Sequence, residues 1–472
     1  MLFNSFEFLI FFPVVFVIYW ALQINLNAQN IFLLFASYFF YAWWDWRFLS
    51  LIIFSSSVDY FIGLCLYKTK KAKIKKQWLI ISLVVNLGLL GAFKYYNFFV
   101  DSFTIFAENF GWTPNNLTLS IILPVGISFY TFQTLSYTLD IYRGTLKPTN
   151  NFIAFSTYIA FFPQLVAGPI ERASNLLPQV LSERTFRKEH LNEGILQIVI
   201  GLFRKIVIAD TLAKYVDVVY GNLEIHDGST IILATIFYAF QIYFDFSGYS
   251  DIAIGTAKLL GFSFLKNFNL PYFATSLTDF WRRWHISLSN WLKDYLYISL
   301  GGNRKGIIIT YRNLMITMLL GGLWHGSSWN FIIWGGIHGT VLGIEKFLNT
   351  NIWFSSIRSI NWVGRSITFI VVLLAWVFFR ANNFDSAMMA LKKVIEGPFK
   401  APYVGDATIL VNCMAMLTVG FFFDFYLYRK KIDLEKMGTD LSAIQLVTVT
   451  CAITLLITLF YSTSDNFIYF QF

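Results

Sequence analysis

Leu319-Leu-Gly-Gly-Leu-Trp-His325-Gly-Ser-Ser-Trp-Asn-Phe331 joins two long apolar runs, near 307–325 and 328–348, and carries a single ionisable side chain. A run of about 20 apolar residues is long enough to cross a bilayer as a helix. An ionisable group at membrane depth is costly to bury, so it lines a cavity or does chemistry. Histidine is also the side chain best suited to moving protons near neutral pH. The stretch therefore predicts catalysis inside a helical membrane protein.

The rest of the chain extends that reading. Its 472 residues are 56% hydrophobic, with a mean hydropathy of +0.58 and 13% charged residues. Soluble domains average about 25% charged residues, so most of this surface faces lipid. The runs are continuously apolar rather than alternating, which disfavours a β-barrel. Spans are predicted near 6–22, 31–44, 48–67, 78–97, 118–140, 194–212, 230–250, 307–325, 328–348, 363–380, 406–428 and 442–463. The fold class is an all-α polytopic membrane protein with roughly 11–13 transmembrane helices. Segments 144–190 and 255–305 are less apolar and rich in Gly, Pro and aromatic residues. Within them, Phe161-Phe-Pro-Gln-Leu-Val-Ala-Gly-Pro-Ile170 cannot be a plain spanning helix, because two prolines break the ladder. Such segments predict re-entrant or interfacial helices around a central site. No repeat and no long linker divides residues 1–472, so a single integral membrane domain is expected.

The net charge of +9 does not indicate nucleic acid, because Lys and Arg concentrate in short loops between apolar runs. Lys68-Thr-Lys70-Lys71-Ala-Lys73-Ile-Lys75-Lys76 reads as a cytoplasmic loop rather than a lipid or RNA site. Three spans precede it, which puts the N-terminus outside. Arg429-Lys430-Lys431 marks a second cytoplasmic end, and the 442–463 span then carries the C-terminus out. The tail 464–472 is thus expected to be extracytoplasmic, as an aromatic interface anchor or a segment folded back into a groove. The first basic residue is Arg47, so the opening apolar run reads as a retained helix rather than a cleaved leader. Cys65, Cys413 and Cys451 are scattered without CxxC spacing, which points to neither a zinc site nor a disulfide framework.

Five histidines carry most of the chemical options. His190 and His226 lie in polar connections beside Glu189 and Asp227 and read as solvated. His285 lies in Asp279-Phe-Trp-Arg-Arg-Trp-His-Ile-Ser-Leu-Ser-Asn-Trp-Leu292, whose alternation suits an amphipathic helix at the cytoplasmic face. There Arg282 and Arg283 can meet an anionic ligand such as a nucleotide phosphate, or simply snorkel. His325 and His338 are 13 residues apart, about 20 Å of rise on one helix and nearly opposite faces. That disfavours a shared metal site, and His338, in Trp334-Gly-Gly-Ile-His-Gly339, reads as structural. A neutral imidazole can take a proton from a hydroxyl as it attacks an acyl group, contributing roughly 10²–10⁴-fold. The oxyanion then needs donors. Trp324, Trp329, Asn330 and the backbone around Gly326 all remain candidates. Asp245 and Asp251 either polarise the site or pair with Arg or Tyr groups in the bundle, and pairing is the preferred reading. No G-x-S-x-G, Walker A or HExxH pattern is present.

Taken with Leu123-Pro-Val-Gly-Ile-Ser-Phe-Tyr130, Phe162-Pro-Gln-Leu-Val-Ala-Gly-Pro169, Tyr243-Phe-Asp-Phe-Ser-Gly-Tyr-Ser-Asp251, Phe280-Trp-Arg-Arg-Trp-His-Ile-Ser-Leu-Ser289 and Gly322-Leu-Trp-His-Gly326, nearly the whole chain resembles the membrane-bound O-acyltransferases. It is most similar to their bacterial branch, which includes the alginate O-acetylase and the D-alanyl transfer protein of teichoic acids. Length and the opening Phe3-Asn-Ser-Phe-Glu-Phe8 favour the alginate-acetylase type. The resemblance implies helices around a central tunnel, in a bacterial inner membrane. It implies His325 as the catalytic histidine and His285 as an accessory polar residue. It also implies a cytoplasmic acyl thioester, acetyl-CoA, as donor, with no metal. The acceptor is then a polysaccharide outside the membrane, reached through an extracytoplasmic SGNH-like acetyltransferase partner. The tail Phe467-Ile-Tyr-Phe-Gln-Phe472 is similar to an aromatic motif of bacterial surface O-acylation systems, whose tyrosine carries the acyl group in transit. That role maps onto Tyr469.

An alginate-like polymer, peptidoglycan, cellulose and, by D-alanylation, teichoic acid stand as alternative acceptors. From another class, a transporter of a sugar or lipid-linked precursor also accommodates broken helices and intramembrane polar groups. It predicts pseudo-symmetric halves, which the sequence does not display. A scaffold that only recruits an extracellular transferase is the third reading.

Overall fold

A computed structural model describes residues 1–114, 118–166, 168–348, 361–439, 441–461 and Ile468; these are helices and their connections, with no strand among them. The chain divides into two compact units. One comprises Met1–His190 and Thr256–Leu265, the other Leu191–Gly255 and Lys266–Phe472.

In the first unit, local capping sets where helices start. Ser5, Asn25 and Asn151 side chains accept from main-chain N–H groups at the starts of Phe6–Ala21, Leu26–Asp45 and Phe152–Ala160. The Asp45 carboxylate accepts from the Arg47 N–H and breaks the helix before Leu49–Lys68 begins. Buried polar groups then tie helices together where apolar contact alone does not specify a register. Ser82 Oγ donates to Asp59 Oδ1 at 2.6 Å and Asn86 Nδ2 to Asp59 Oδ2 at 2.7 Å, which joins Leu49–Lys68 to Ala72–Leu90. Arg184 Nη2 donates to Gln29 and Asn30, each at 2.7 Å.

The expected 118–140 span starts late, as Ile127–Arg143. Pro124 precedes it, and Gly126 takes φ +76° against the Leu165 carbonyl, where a Cβ would stand 2.6 Å from that oxygen. The proline-bearing stretch folds as expected: Phe152–Ala160 ends, a four-residue helix Phe162–Leu165 follows, and Ala173–Leu181 resumes after a bend.

In the second unit, Lys188–Leu202 runs through a π-helical turn, Phe203–Ala209, into Asp210–Gly221. It packs antiparallel on Gly228–Leu259 through glycines. A Cβ on Gly201 would lie 2.6 Å from the Gly248 carbonyl oxygen, the reverse pair is the same, and one on Gly255 would lie 2.7 Å from Gly194 O. Small residues let the two backbones touch. Ile307–His325 and Trp329–Leu348 form a second glycine-mediated hairpin: a Cβ on Gly322 or Gly335 would collide with Phe331 O or Met318 O at 2.1 and 2.2 Å. Asn361–Arg380, Ala407–Lys430 and Ala443–Phe460 complete the unit.

Eight helices among the described residues are long and apolar enough to cross a membrane. Relative to the twelve predicted segments, 31–44 and 48–67 correspond to the helices Leu26–Asp45 and Leu49–Lys68, which the short turn Trp46–Phe48 joins into one 43-residue apolar stretch. Phe6–Ala21 is only 16 residues long, the 118–140 run shortens, and 194–212 carries Arg204, Lys205 and Asp210, all buried.

Candidate active site

His325 ends its helix at the turn before Trp329, in the second unit. Its ring is enclosed by rings: Trp324 and Trp334 at 5.1 Å and Phe379 at 5.4 Å between centroids. His285 stands 6.3 Å away and shares Trp324 at 5.7 Å, with Phe246 at 4.7 Å on its other side. Both histidines are buried. The two implied by family resemblance are therefore brought together.

The expected amphipathic helix through His285 is not continuous. Leu277–Trp281 stops, His285 takes a left-handed conformation (φ +41°, ψ +55°), and Ile286–Trp291 begins there. A non-glycine residue in that region is strained, and such strain persists where surroundings hold it. Asn267 does the holding: its carbonyl accepts from the Ile286 N–H at 2.9 Å and its Oδ1 from Ser287 Oγ at 2.6 Å. Its amide donates to Ser250 Oγ at 3.0 Å. Periodicity alone could not show this break, because the polar–apolar alternation runs on through it. Burial holds the His285 imidazolium down to about 3, so the ring is neutral across the physiological range.

His325 and His338 do not share a helix, so the opposite-face argument does not apply to them. The turn at 326–328 puts them on two arms of one hairpin, and Trp334 lies between, 5.1 Å from His325 and 4.7 Å from His338. His338 is wholly buried against Trp281 and Phe280, and neither ring nitrogen has a hydrogen-bond partner among the described residues. No group of three potential metal ligands occurs among the described residues. His226 is buried against Tyr403 rather than solvated, because the Phe384–Glu396 helix closes over its loop through Lys393, which donates to the His226 carbonyl. Of the oxyanion candidates, Trp324 lies against both histidines, Asn330 Nδ2 already donates to Ala381 O at 2.9 Å, and Trp329 is exposed.

A buried ionic cluster lies in the same unit. Arg204 donates to Asp251 at 2.8 Å and Asp424 at 3.1 Å; Lys205 donates to Asp210 at 2.6 Å and lies 2.7 Å from Asp245. Pairing was thus the right reading of Asp245 and Asp251. Arg204, Lys205 and Asp424 were missed as their partners. The signal existed: two adjacent cations in one apolar run and acids in two others demand each other at low dielectric. A cavity of about 550 Å³ opens beside Arg204 and is lined also by Lys266, Arg283, Arg429 and Lys431. Arg283 additionally pairs with Asp279 at 2.9 Å, while Arg282 is exposed and off that lining. Tyr469 lies outside the described residues. Its neighbour Ile468 is buried in the core of this unit, and the Ile468 N–H donates to Asp245 Oδ2 at 2.9 Å.

Fold and site together define a multi-pass helical membrane protein with buried histidines in an aromatic pocket. The model of the membrane-bound O-acyltransferase family matches residues 146–388, and the chain belongs to that family. Among its relatives, the "Probable alginate O-acetylase AlgI" of Pseudomonas aeruginosa is 46% identical over 388 residues, 82% of this chain and 73% of the relative. Its counterpart in Pseudomonas syringae pv. tomato is 42% identical over 91% of this chain and 84% of the relative. The "Peptidoglycan O-acetyltransferase" of Helicobacter pylori is 38% identical over 84% of this chain and 80% of the relative. The protein is an O-acyltransferase of the membrane, which answers the transporter alternative in favour of an enzyme.

Proposed function

We propose that this protein takes an acetyl group from acetyl-CoA at the cytoplasmic face and passes it, through Tyr469 and an extracytoplasmic SGNH-like partner, to hydroxyls of a secreted or surface polysaccharide of the alginate type. The observation that carries the chemistry is the placement of His325 and His285 side by side in a buried aromatic pocket. His325 removes the proton from the Tyr469 hydroxyl, whose oxygen attacks the thioester carbonyl. The C–S bond breaks and the CoA thiolate takes the proton back from the imidazolium. Neutral His285 faces the thioester side, and the Trp324 indole N–H is the proposed donor to the developing oxyanion. A serine of the partner then accepts the acetyl group, regenerating the tyrosine, and delivers it to the sugar.

The donor assignment rests on the 550 Å³ cavity, lined by Arg204, Lys266, Arg283, Arg429 and Lys431 against three acids, Asp251, Asp433 and Glu435, with Lys266 paired to Asp433. Arg283 meets a phosphate there, and Arg282 guides it from the exposed side. Arg429–Lys431 also belongs to the loop whose charge reads as cytoplasmic, so donor and basic loop share a side. On the same reading the Ala443–Phe460 helix returns the C-terminus to the outside. Polysaccharide acceptors are favoured by the names of the alginate relatives, and peptidoglycan is the second acceptor reading because the Helicobacter relative covers 84% of the chain.

In a deletion strain, acetyl esters on surface glycans should disappear and return with the wild-type gene. Tyr469→Phe should not restore them. Full restoration by Tyr469→Phe would end the relay, and esters lost from peptidoglycan alone would replace the alginate-type acceptor.

A further inference from the structure

We infer that Asp245 is a positioning residue for the C-terminal tail, anchoring its main chain at Ile468. This rests on the reading that Tyr469 carries the acyl group, and it adds what places that residue. The two oxygens of Asp245 do different work. Oδ1 lies 2.7 Å from Lys205 Nζ, and both side chains are buried. Oδ2 accepts from the Ile468 N–H at 2.9 Å, across 223 residues of sequence. A buried main-chain N–H must find an acceptor, and an ionised one gives the strongest bond available. The Ile468 side chain is buried in the core cluster that includes Phe244 and Trp376. Side chain and amide thus hold Ile468 in place, the residue that precedes Tyr469 in sequence. Lys205 keeps Asp210 as a second partner at 2.6 Å, so its charge stays compensated whether or not the tail is seated.

The test is hydrogen–deuterium exchange of the C-terminal peptide in the purified full-length protein, alongside the kinetics of acetyl transfer. Asp245→Leu removes the acceptor; Ile468→Pro removes the donor and leaves the ionic cluster whole. A hydrogen bond to a buried charge is worth enough to slow opening by about tenfold or more. Both variants should therefore speed exchange of the tail peptide by about that factor, while peptides of Gly228–Leu259 stay protected in Ile468→Pro. Transfer should lose kcat with the KM for acetyl-CoA unchanged. Ile468→Val, which keeps the amide, should exchange as wild type does. Tail exchange in Ile468→Pro as slow as in wild type would overturn the anchor. Exchange reads the anchor independently of the relay: loss of the relay through an active Tyr469→Phe would leave the exchange result standing.

Discussion

His325 is set among rings, and this defines what a substitution there removes. Glutamine at 325 keeps volume and hydrogen-bonding capacity but accepts no proton. Loss of general-base catalysis alone is worth roughly 10²–10⁴-fold, so His325→Gln should lower acetyl transfer by about that much with expression and unfolding temperature near wild type. His285 makes a different prediction. Its folded pKa of about 3 lies below the ordinary 6.5 because burial penalises the charged ring. Below about pH 6.5 the unfolded chain takes up a proton that the folded chain refuses, so stability falls by about 1.4 kcal/mol per pH unit from this group. His285→Gln lacks that loss. The stability gap between wild type and His285→Gln should therefore narrow between pH 7.5 and pH 5.5, measured by thermal unfolding in detergent; a constant gap would mean that the ring protonates in the fold. At this scale the sequence singles out His325, alone in its apolar stretch, and the structure places it buried among rings beside His285. It was not readable for the His285 turn, because positive φ there is imposed by Asn267, distant in sequence and bonded through its backbone and amide.

Helix pairs in this protein meet at glycines, and the charges they enclose depend on that contact. Gly201 and Gly248 bring Lys188–Leu202 against Gly228–Leu259 closely enough for Arg204 and Lys205 to reach Asp251 and Asp245. Gly248→Leu forces the backbones apart, and overpacking of this kind costs about 1–3 kcal/mol. It should lower the unfolding temperature, whereas Gly221→Ala, with open space around it, should not. Arg204→Ala leaves Asp251 and Asp424 buried without their cation, a loss of about 3–5 kcal/mol, to be read as reduced folded yield on size-exclusion chromatography. Long apolar helices were legible because length and composition suffice to define them. The 194–212 run was harder, since it looks apolar enough to span lipid until its charges are matched with acids from two other helices. Its π-helical turn at Phe203–Ala209 carries both cations, a geometry no apolar periodicity announces.

At the scale of the whole molecule, the proposed transfer needs two sites: the cavity beside Arg204 for the donor and the C-terminal tail as the proposed carrier of the acetyl group. Arg283→Ala should raise the KM for acetyl-CoA about tenfold with kcat little changed, because a charge-assisted phosphate contact made equally in ground and transition states affects binding only. The acceptor polymer was not legible in the chain, since in the proposed relay it is the partner that meets the sugar. The most direct test is acetylation of the protein itself. Purified full-length protein incubated with radiolabelled acetyl-CoA, without a partner or polymer, should acquire label in its C-terminal peptide. His325→Gln should acquire label at least about a hundredfold more slowly, and Tyr469→Phe should acquire none. Equal labelling of that peptide in wild type and His325→Gln would contradict the assignment of His325 as the base of the transfer.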